Sequence, residues 1–539
     1  MTDTNSTAAA ATAEADPELA SLAHTLSNAN LSTQPTTADD DDANSTWPTL
    51  SRRGAAGGTS FKIPEGLKRM LANMYDPVTN PDGIINAGIA DNSLCRSELL
   101  HYFLAKDRLK LSHADLTYAD RFTTSTRLLE AISDLFNQRQ PDWPDNTASP
   151  LPLTKVVPDH IAIASGATGI LDELFWNICD VGDGVLLSAP YYNAFDNDLT
   201  NRAKAQIVEV SIPLPEEGGS ENLELSSFAK QTVDAYEQAY QKATAQGITV
   251  RALLLCNPHN PTGTIYPRET VVELAKLAGK YKLHFVSDEI YARSCFATRE
   301  VPQPSLFHSI LSIDTANECA LDPAYVHVVT SASKDFAVNG FRLGVLVSQH
   351  NPALQRAMSA IGLLSQSASP AASLWCTWLR DAPFLEWYLQ ENRRRLAKAY
   401  EHALAFFQHY GIPYYPSNAG FFLLINLRRY AGIEPGMADT DARAKEAQLV
   451  ERLIEGGVLI SPGTMYHHPK PGWFRFTFSQ EPSTLKLALR RLEKVMRVRD
   501  PESFEASRDV LDLAQGGAKV PGSEGADASA KGWFKKLVG

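Results

Sequence analysis

The stretch Val326-His327-Val328-Val329-Thr330-Ser331-Ala332-Ser333-Lys334, followed by Gly340-Phe341-Arg342-Leu343-Gly344 and then Val345-Leu346-Val347, sets the reading of this chain. Its apolar runs lack polar alternation, as strands buried on both faces do. Between them, Lys334 offers an amine able to form an imine, while Ser331, Ser333 and Arg342 offer hydroxyls and a guanidinium suited to a dianionic phosphate. A Ser-x-x-Lys with a downstream Arg is common by chance, so that chemistry needs support from other segments.

Outward from this stretch the same texture repeats. Val185-Leu186-Leu187, Ala252-Leu253-Leu254-Leu255-Cys256 and His284-Phe285-Val286-Ser287 are β-type runs that alternate with helix-type patterns. Between two of them, Phe228, Val233, Tyr236 and Tyr240 fall roughly on one helical face in a stretch without Pro or Gly. The alternation predicts an α/β fold, with helices packed on a largely parallel sheet.

Three of the runs end in residues with chemical meaning. Gly166-Ala167-Thr168 follows Ile161-Ala162-Ile163-Ala164 and precedes a helical pattern, so it is a strand-to-helix turn whose free N–H groups and helix dipole face an anion. Taken alone it is equally an ordinary tight turn. Asn257-Pro258-His259-Asn260-Pro261-Thr262-Gly263 follows the second run; its prolines and glycine fix a turn from which Asn260 can donate to a ligand oxygen. Asp288-Glu289-Ile290-Tyr291 stands at the end of the strand from Leu283 to Val286, where α/β sheets place ligand groups. A carboxylate there can keep a pyridine nitrogen protonated, and a tyrosine three residues on can bond a ring hydroxyl. With Lys334, these groups point to pyridoxal phosphate.

Composition narrows the partners. At 539 residues and 44% hydrophobic, the chain has room for two or more domains with sizeable cores. A net charge of −12 argues against a nucleic-acid-binding face. Six cysteines without any Cys-x-x-Cys pair suggest neither a zinc ribbon nor a disulfide framework, and no metal site is expected. The first twenty residues contain no Lys or Arg, and no apolar run approaches the roughly 20 residues needed to cross a bilayer, so no membrane contact and a cytoplasmic location are expected. Residues 1–60, rich in Ala, Thr, Ser and Asp, read as a disordered acidic tail, and residues 501–539 as a flexible C-terminal tail.

The ordered set of motifs resembles the fold-type I pyridoxal-phosphate enzymes, within them the class I/II aminotransferases and their 1-aminocyclopropane-1-carboxylate synthase-like branch. The resemblance covers roughly residues 80–490, and its branch-level marks are Asp82-Gly83-Ile84-Ile85-Asn86, Gly88-Ile89-Ala90-Asp91-Asn92, Pro190-Tyr191-Tyr192 with Phe195-Asp196-Asn197-Asp198-Leu199, and Gly472-Trp473-Phe474-Arg475. It implies a large cofactor-binding domain at 121–344 around a mostly parallel seven-stranded sheet, and a smaller α+β domain built from 61–120 and 345–500 that closes over substrate. It also implies Lys334 as Schiff-base lysine and base, Asp288 on the pyridine nitrogen, Asn260 and Tyr291 on the ring hydroxyl, and Tyr192 stacked on the ring. Ala167, Thr168, Ser331, Ser333 and Arg342 would hold the phosphate. Tyr118 would reach the phosphate of a neighbouring subunit, which implies a homodimer with shared active sites. Arg475 would clamp the substrate α-carboxylate with a fork that Lys cannot reproduce.

The resemblance implies an L-amino acid substrate, and a 2-oxo acid as second partner, processed through an external aldimine and a carbanion. One departure bears on the outcome. Plant 1-aminocyclopropane-1-carboxylate synthases carry Ala-Glu-Asn where this chain has Ala90-Asp91-Asn92, a carboxylate one methylene shorter at the substrate position. Transamination needs no leaving-group machinery and is the first reading; 1-aminocyclopropane-1-carboxylate synthase or carbon–sulfur lyase activity comes second. A non-catalytic cofactor-binding regulator comes last, because no basic domain precedes the fold and the chemical residues are all present.

Overall fold

The computed structural model describes residues 64–105, 108, 111–138, 150–212, 225–300, 306–496 and 520–521. The tails expected at 1–60 and 501–539 lie outside the described residues, apart from Val520 and Pro521. The chain forms two compact units, residues 1–86 with 519–539 and residues 87–518. In the first, the helix Glu65–Ala72 buries Met70, and Met74 pairs with Ile84 across the turn at Gly83.

The second unit is built on seven strands: β1 Ile161–Ser165, β2 Gly184–Ala189, β3 Gln206–Ser211, β4 Val250–Cys256, β5 His284–Asp288, β6 Val326–Ser331 and β7 Leu343–Val347. They lie side by side as β1-β7-β6-β5-β4-β2-β3, and only β7 runs antiparallel to its neighbours. This is the mostly parallel seven-stranded sheet expected from the sequence. Every residue of β2, β6 and β7 is buried, which explains why these runs show no polar alternation. Helices cover the sheet by their apolar stripes. In Arg268–Tyr281, Val271, Leu274, Ala275, Leu277 and Ala278 are buried while Glu273, Lys276 and Lys280 face solvent. The helix Leu225–Ala245 buries Tyr236 and half-buries Val233 and Tyr240 as its pattern predicts; the side chain of Phe228 lies outside the described residues.

A smaller antiparallel sheet joins β8 Phe422–Asn426, β9 Ser461–Pro462 and β10 Trp473–Thr477 in the order β9-β10-β8. Its long helical neighbour, Ala382–His409, buries fifteen residues, among them Trp387, Tyr388, Tyr400 and Phe407. Arg475 sits mid-strand in β10, in register with Leu424 and Ser461.

The topology gathers chemistry at one edge of the large sheet. The C-terminal residues of β4, β5 and β6 are Cys256, Asp288 and Ser331, and because β7 is antiparallel, Arg342 enters it at that same edge. Outside the carboxyl ends of parallel strands is where open α/β sheets bind ligands.

Candidate active site

A cleft of about 200 Å³ opens at this edge, lined among others by Ala167, Thr168, Tyr192, Asn260, Asp288, Tyr291, Ser333, Lys334 and Arg342. Nine of the sequence-predicted site residues therefore meet in one cavity. Strand β5 extends one turn of the pleat further than its apolar pattern suggested, to Asp288 itself, because Asp288 pairs with Cys256 of β4.

Lys334 donates to the carbonyl oxygen of Ala90, at 2.5 Å. Its pKa is pushed down to about 8, chiefly by burial and then by the positive charge of Arg475, so a useful fraction of the amine is neutral near pH 7. Asp288 is 4% exposed; its carboxyl accepts from the Ile290 N–H at 3.3 Å and has no ion-pair partner among the described residues. Burial raises its pKa to about 7. A buried acid of this kind stays ionised only when a cation is brought to it. Tyr291 is fixed edge-on against Phe421 and Phe422, and Tyr192 edge-on against Phe195. Burial pushes the Tyr192 hydroxyl up to about 12, so it remains neutral.

At the end of the cleft formed by Ala167, Thr168 and Arg342, the helix Gly166–Ile178 begins directly from β1. Gly166 has φ +73, and a Cβ there would lie 2.3 Å from Nη2 of Arg342; a Cβ on Gly344 would lie 2.1 Å from the Gly166 carbonyl oxygen. Glycine is required at both positions so that the helix N-terminus and the guanidinium share one small space. Arg342 donates to the Asn339 carbonyl at 3.0 Å and has no carboxylate partner among the described residues. Ser331, buried outside the cleft lining, accepts from the Ser333 N–H at 3.0 Å and so shapes the turn into Lys334.

Arg475 is 3% exposed and pairs with no carboxylate among the described residues. Its guanidinium donates to Asn260 Oδ1 at 2.9 Å and to the Gly88 carbonyl at 2.5 Å, and lies between the rings of Phe422 and Tyr466 at 4.6 and 4.4 Å. Leaving a buried guanidinium without an anion is costly, and the aromatic faces offset only part of that. Asp91 has partners of its own: Arg96 at 2.6 Å and the Asn339 amide at 3.4 Å. Tyr118 is not brought to the cleft of its own chain; it is 73% exposed and lines a separate surface cleft with Phe122 and Thr123.

Sequence reasoning missed several contributors. Asp198 and Asn339 line the same cleft, and Phe422 and Tyr466 hold Arg475. Asp198 lay within a quoted motif, but Asp196 beside it gives no way to tell from sequence which carboxyl turns inward.

Comparisons with known proteins identify the family. The family described as aminotransferase class I and II matches residues 106–492. A probable aminotransferase, aclI of Aspergillus oryzae, is 33% identical over 453 residues, spanning 83% of this chain and 98% of the relative. 1-Aminocyclopropane-1-carboxylate synthase 6 of rice, Oryza sativa subsp. japonica, is 29% identical over 448 residues, 80% of this chain and 76% of the relative. Among solved structures, a double mutant of Thermus thermophilus aspartate aminotransferase shares the fold with a TM-score of 0.59 at 22% identity, covering 83% of this chain and all of that one. The chain belongs to the class I and II aminotransferase family, and it is an enzyme of that family.

Proposed function

We propose that the protein is a pyridoxal-phosphate-dependent aminotransferase that exchanges the amino group of an L-amino acid with a 2-oxo acid. The observation that carries this reading is the juxtaposition, in one cleft, of the Lys334 amine and the Asp288 carboxyl, with Arg475, which has no carboxylate partner among the described residues, bonded to Asn260 of the same lining. The cofactor fits three features of the chain: two glycines that leave a cradle beside Arg342, a buried Asp288 with no ion-pair partner among the described residues, and a cleft walled by Tyr192 and Tyr291.

When bound, pyridoxal phosphate supplies an electron-withdrawing ring that stabilises negative charge at the substrate Cα. The chain's residues do the rest. Ala167, Thr168, Ser333 and Arg342 would hold the phosphate, by N–H groups at the helix start and by hydroxyl and guanidinium donors, with Ser331 behind the lining orienting the Ser333 N–H. Asp288 would keep the proton on the ring nitrogen, Asn260 and Tyr291 would bond the ring hydroxyl, and Tyr192 would pack against the ring. Arg475 takes the substrate α-carboxylate. The Lys334 amine, partly neutral at physiological pH, removes the proton from Cα and can deliver it elsewhere within reach.

Residues 345–500 carry Arg475 and, with residues 61–120, form the closing small domain of this reading, against a large domain at 121–344. We further propose a homodimer in which Tyr118 serves the partner's site. It is supported by the exposed apolar side chains of Phe122, in the same surface cleft, and of Leu116, two residues before Tyr118. A lyase or cyclopropane-forming outcome is the second reading, favoured by the named synthase relative. Against it stands Asp91, already occupied by Arg96 and Asn339 rather than free for substrate. Incubation with a panel of L-amino acids and 2-oxoglutarate, and separately with S-adenosylmethionine, separates the two. A 2-oxo acid product supports transfer, and methylthioadenosine without it overturns the reading.

A further inference from the structure

Lys334 and Tyr291 both lie in turns, outside any helix or strand, yet both line the cleft. The residue after Lys334 joins the two turns. Asp335 is fully buried; its Oδ2 accepts from the Arg293 N–H at 2.9 Å, and its Oδ1 accepts from the Ser294 hydroxyl at 2.7 Å. Ser294 in turn closes the tyrosine's turn, because its N–H donates to the Tyr291 carbonyl at 2.9 Å. One carboxyl side chain therefore connects the backbone beside the amine to the backbone beside the hydroxyl.

The bracing continues behind the cleft. The Ser294 carbonyl accepts from the Gly420 N–H at 2.9 Å, and the N–H groups of Asn418 and Ala419 both donate to the Gly263 carbonyl at 2.9 Å, in the turn that presents Asn260. Gly263 has φ +71, and a Cβ there would lie 2.2 Å from Ser417 Oγ, so the segment fits against that turn only because the residue is glycine. On the other side of Lys334, Phe336 packs edge-on against Trp375 and Trp378. Resting on the cofactor reading, we propose that Asp335 is a positioning residue: by bonding Arg293 and Ser294 it sets the spacing between the Lys334 amine and the Tyr291 hydroxyl, and so keeps the amine within reach of the substrate Cα.

The physical reason is that a buried carboxylate is tolerated only where donors meet it, so the two turns cannot separate without stranding Asp335. Burial raises its pKa to about 6, while the charge of Arg293 beside it pulls the other way, and the group is chiefly ionised at pH 7. Asparagine has the same shape and can keep both bonds, its carbonyl accepting from the Arg293 N–H and its amide donating to the Ser294 hydroxyl. Alanine keeps neither. The two substitutions remove the same charge, so a difference between them reports the bonds.

The test compares the full chain as wild type, Asp335→Ala, Asp335→Asn and Ser294→Ala. Without cofactor, each protein is methylated with formaldehyde and cyanoborohydride from about pH 6 to about pH 10, and peptide mass spectrometry reads the titration midpoint of Lys334. In Asp335→Ala that midpoint should rise by about one unit, as the amine leaves its buried place beside Arg475. Loss of the Asp335 charge by itself would lower the midpoint, so a rise reports movement. With pyridoxal phosphate bound, kcat should fall about 10- to 100-fold while the amino-acid KM stays within about threefold, because Arg475 keeps its own contacts. Asp335→Asn should stay within about threefold of wild type in kcat. A folded Asp335→Ala protein with a lower melting temperature but wild-type midpoint and kcat overturns the proposal, and so does Asp335→Asn as impaired as Asp335→Ala. If Asp335→Ala fails to fold, Ser294→Ala, which removes one bond of the two, must shift midpoint and kcat in the same directions, and unchanged values overturn the proposal. If no protein, wild type included, binds pyridoxal phosphate, it is the cofactor reading that fails, and the Lys334 midpoint still decides whether Asp335 positions the amine.

Discussion

Replacing Arg475 by lysine keeps the charge and removes the fork. The guanidinium makes two directed contacts at once, to Asn260 Oδ1 and to the Gly88 carbonyl, while two rings hold its plane at 4.4 and 4.6 Å. An ammonium in that slot can reach one partner of a bidentate carboxylate and lies less well between aromatic faces. Losing one charge-assisted hydrogen bond costs about 1.5–3 kcal/mol, which corresponds to an amino-acid affinity weaker by about 10- to 100-fold. If Arg475 holds the α-carboxylate throughout the reaction, as proposed, the loss falls mainly on KM and less on kcat. Steady-state kinetics with the best L-amino acid substrate, and a spectral titration with a non-reacting 2-methyl analogue, measure the two effects separately. A thermal melt of the variant controls for the lost Asn260 and Gly88 contacts. Unchanged substrate affinity in a folded Arg475→Lys protein refutes the carboxylate clamp.

Other expectations follow from the same geometry. In the cofactor-free protein, the raised pKa of Asp288 means the native state binds more protons than the unfolded chain between about pH 4 and 7, so this group lowers stability as pH rises through that window. Asp288→Asn should therefore raise the cofactor-free Tm at pH 8 and change it little at pH 4 in scanning calorimetry; a lower Tm at pH 8 contradicts the buried-acid account. Gly166→Ala forces a Cβ to 2.3 Å from the Arg342 guanidinium at a positive φ, and should cost about 1–3 kcal/mol of stability and weaken pyridoxal phosphate binding in equilibrium dialysis. Wild-type stability and affinity in that variant would rule out the shared cradle. In sedimentation, the protein should be a dimer at micromolar concentration, and Tyr118→Phe should weaken cofactor binding; a monomer removes the role in trans.

Much of the site was legible because strands buried on both faces announce themselves, and their ends fix where loops deliver side chains. Asp288, Asn260, Lys334 and Arg342 could be placed from such ends alone. What sequence could not supply depends on orientation around short helices and on contacts between distant segments. Asp196 and Asp198 are two residues apart, yet the first bonds the Tyr191 hydroxyl and His467 while the second turns into the cleft. The rings that hold Arg475 come from Phe422 and Tyr466, one on a neighbouring strand and one in the short 3-10 helix Gly463–Tyr466, with no local pattern to connect them. The ion pair of Asp91 with Arg96 could not be foreseen, because Arg96 lies in a helix whose facing the sequence does not give.

The central claim is that the Lys334 amine carries the cofactor. Borohydride reduction of the protein loaded with pyridoxal phosphate, followed by peptide mass spectrometry, tests it directly. The account predicts loss of the near-visible absorbance and a pyridoxyl-phosphate adduct on Lys334 alone, with neither signal in Lys334→Ala. An adduct on another lysine, or absorbance that survives in Lys334→Ala, would contradict it.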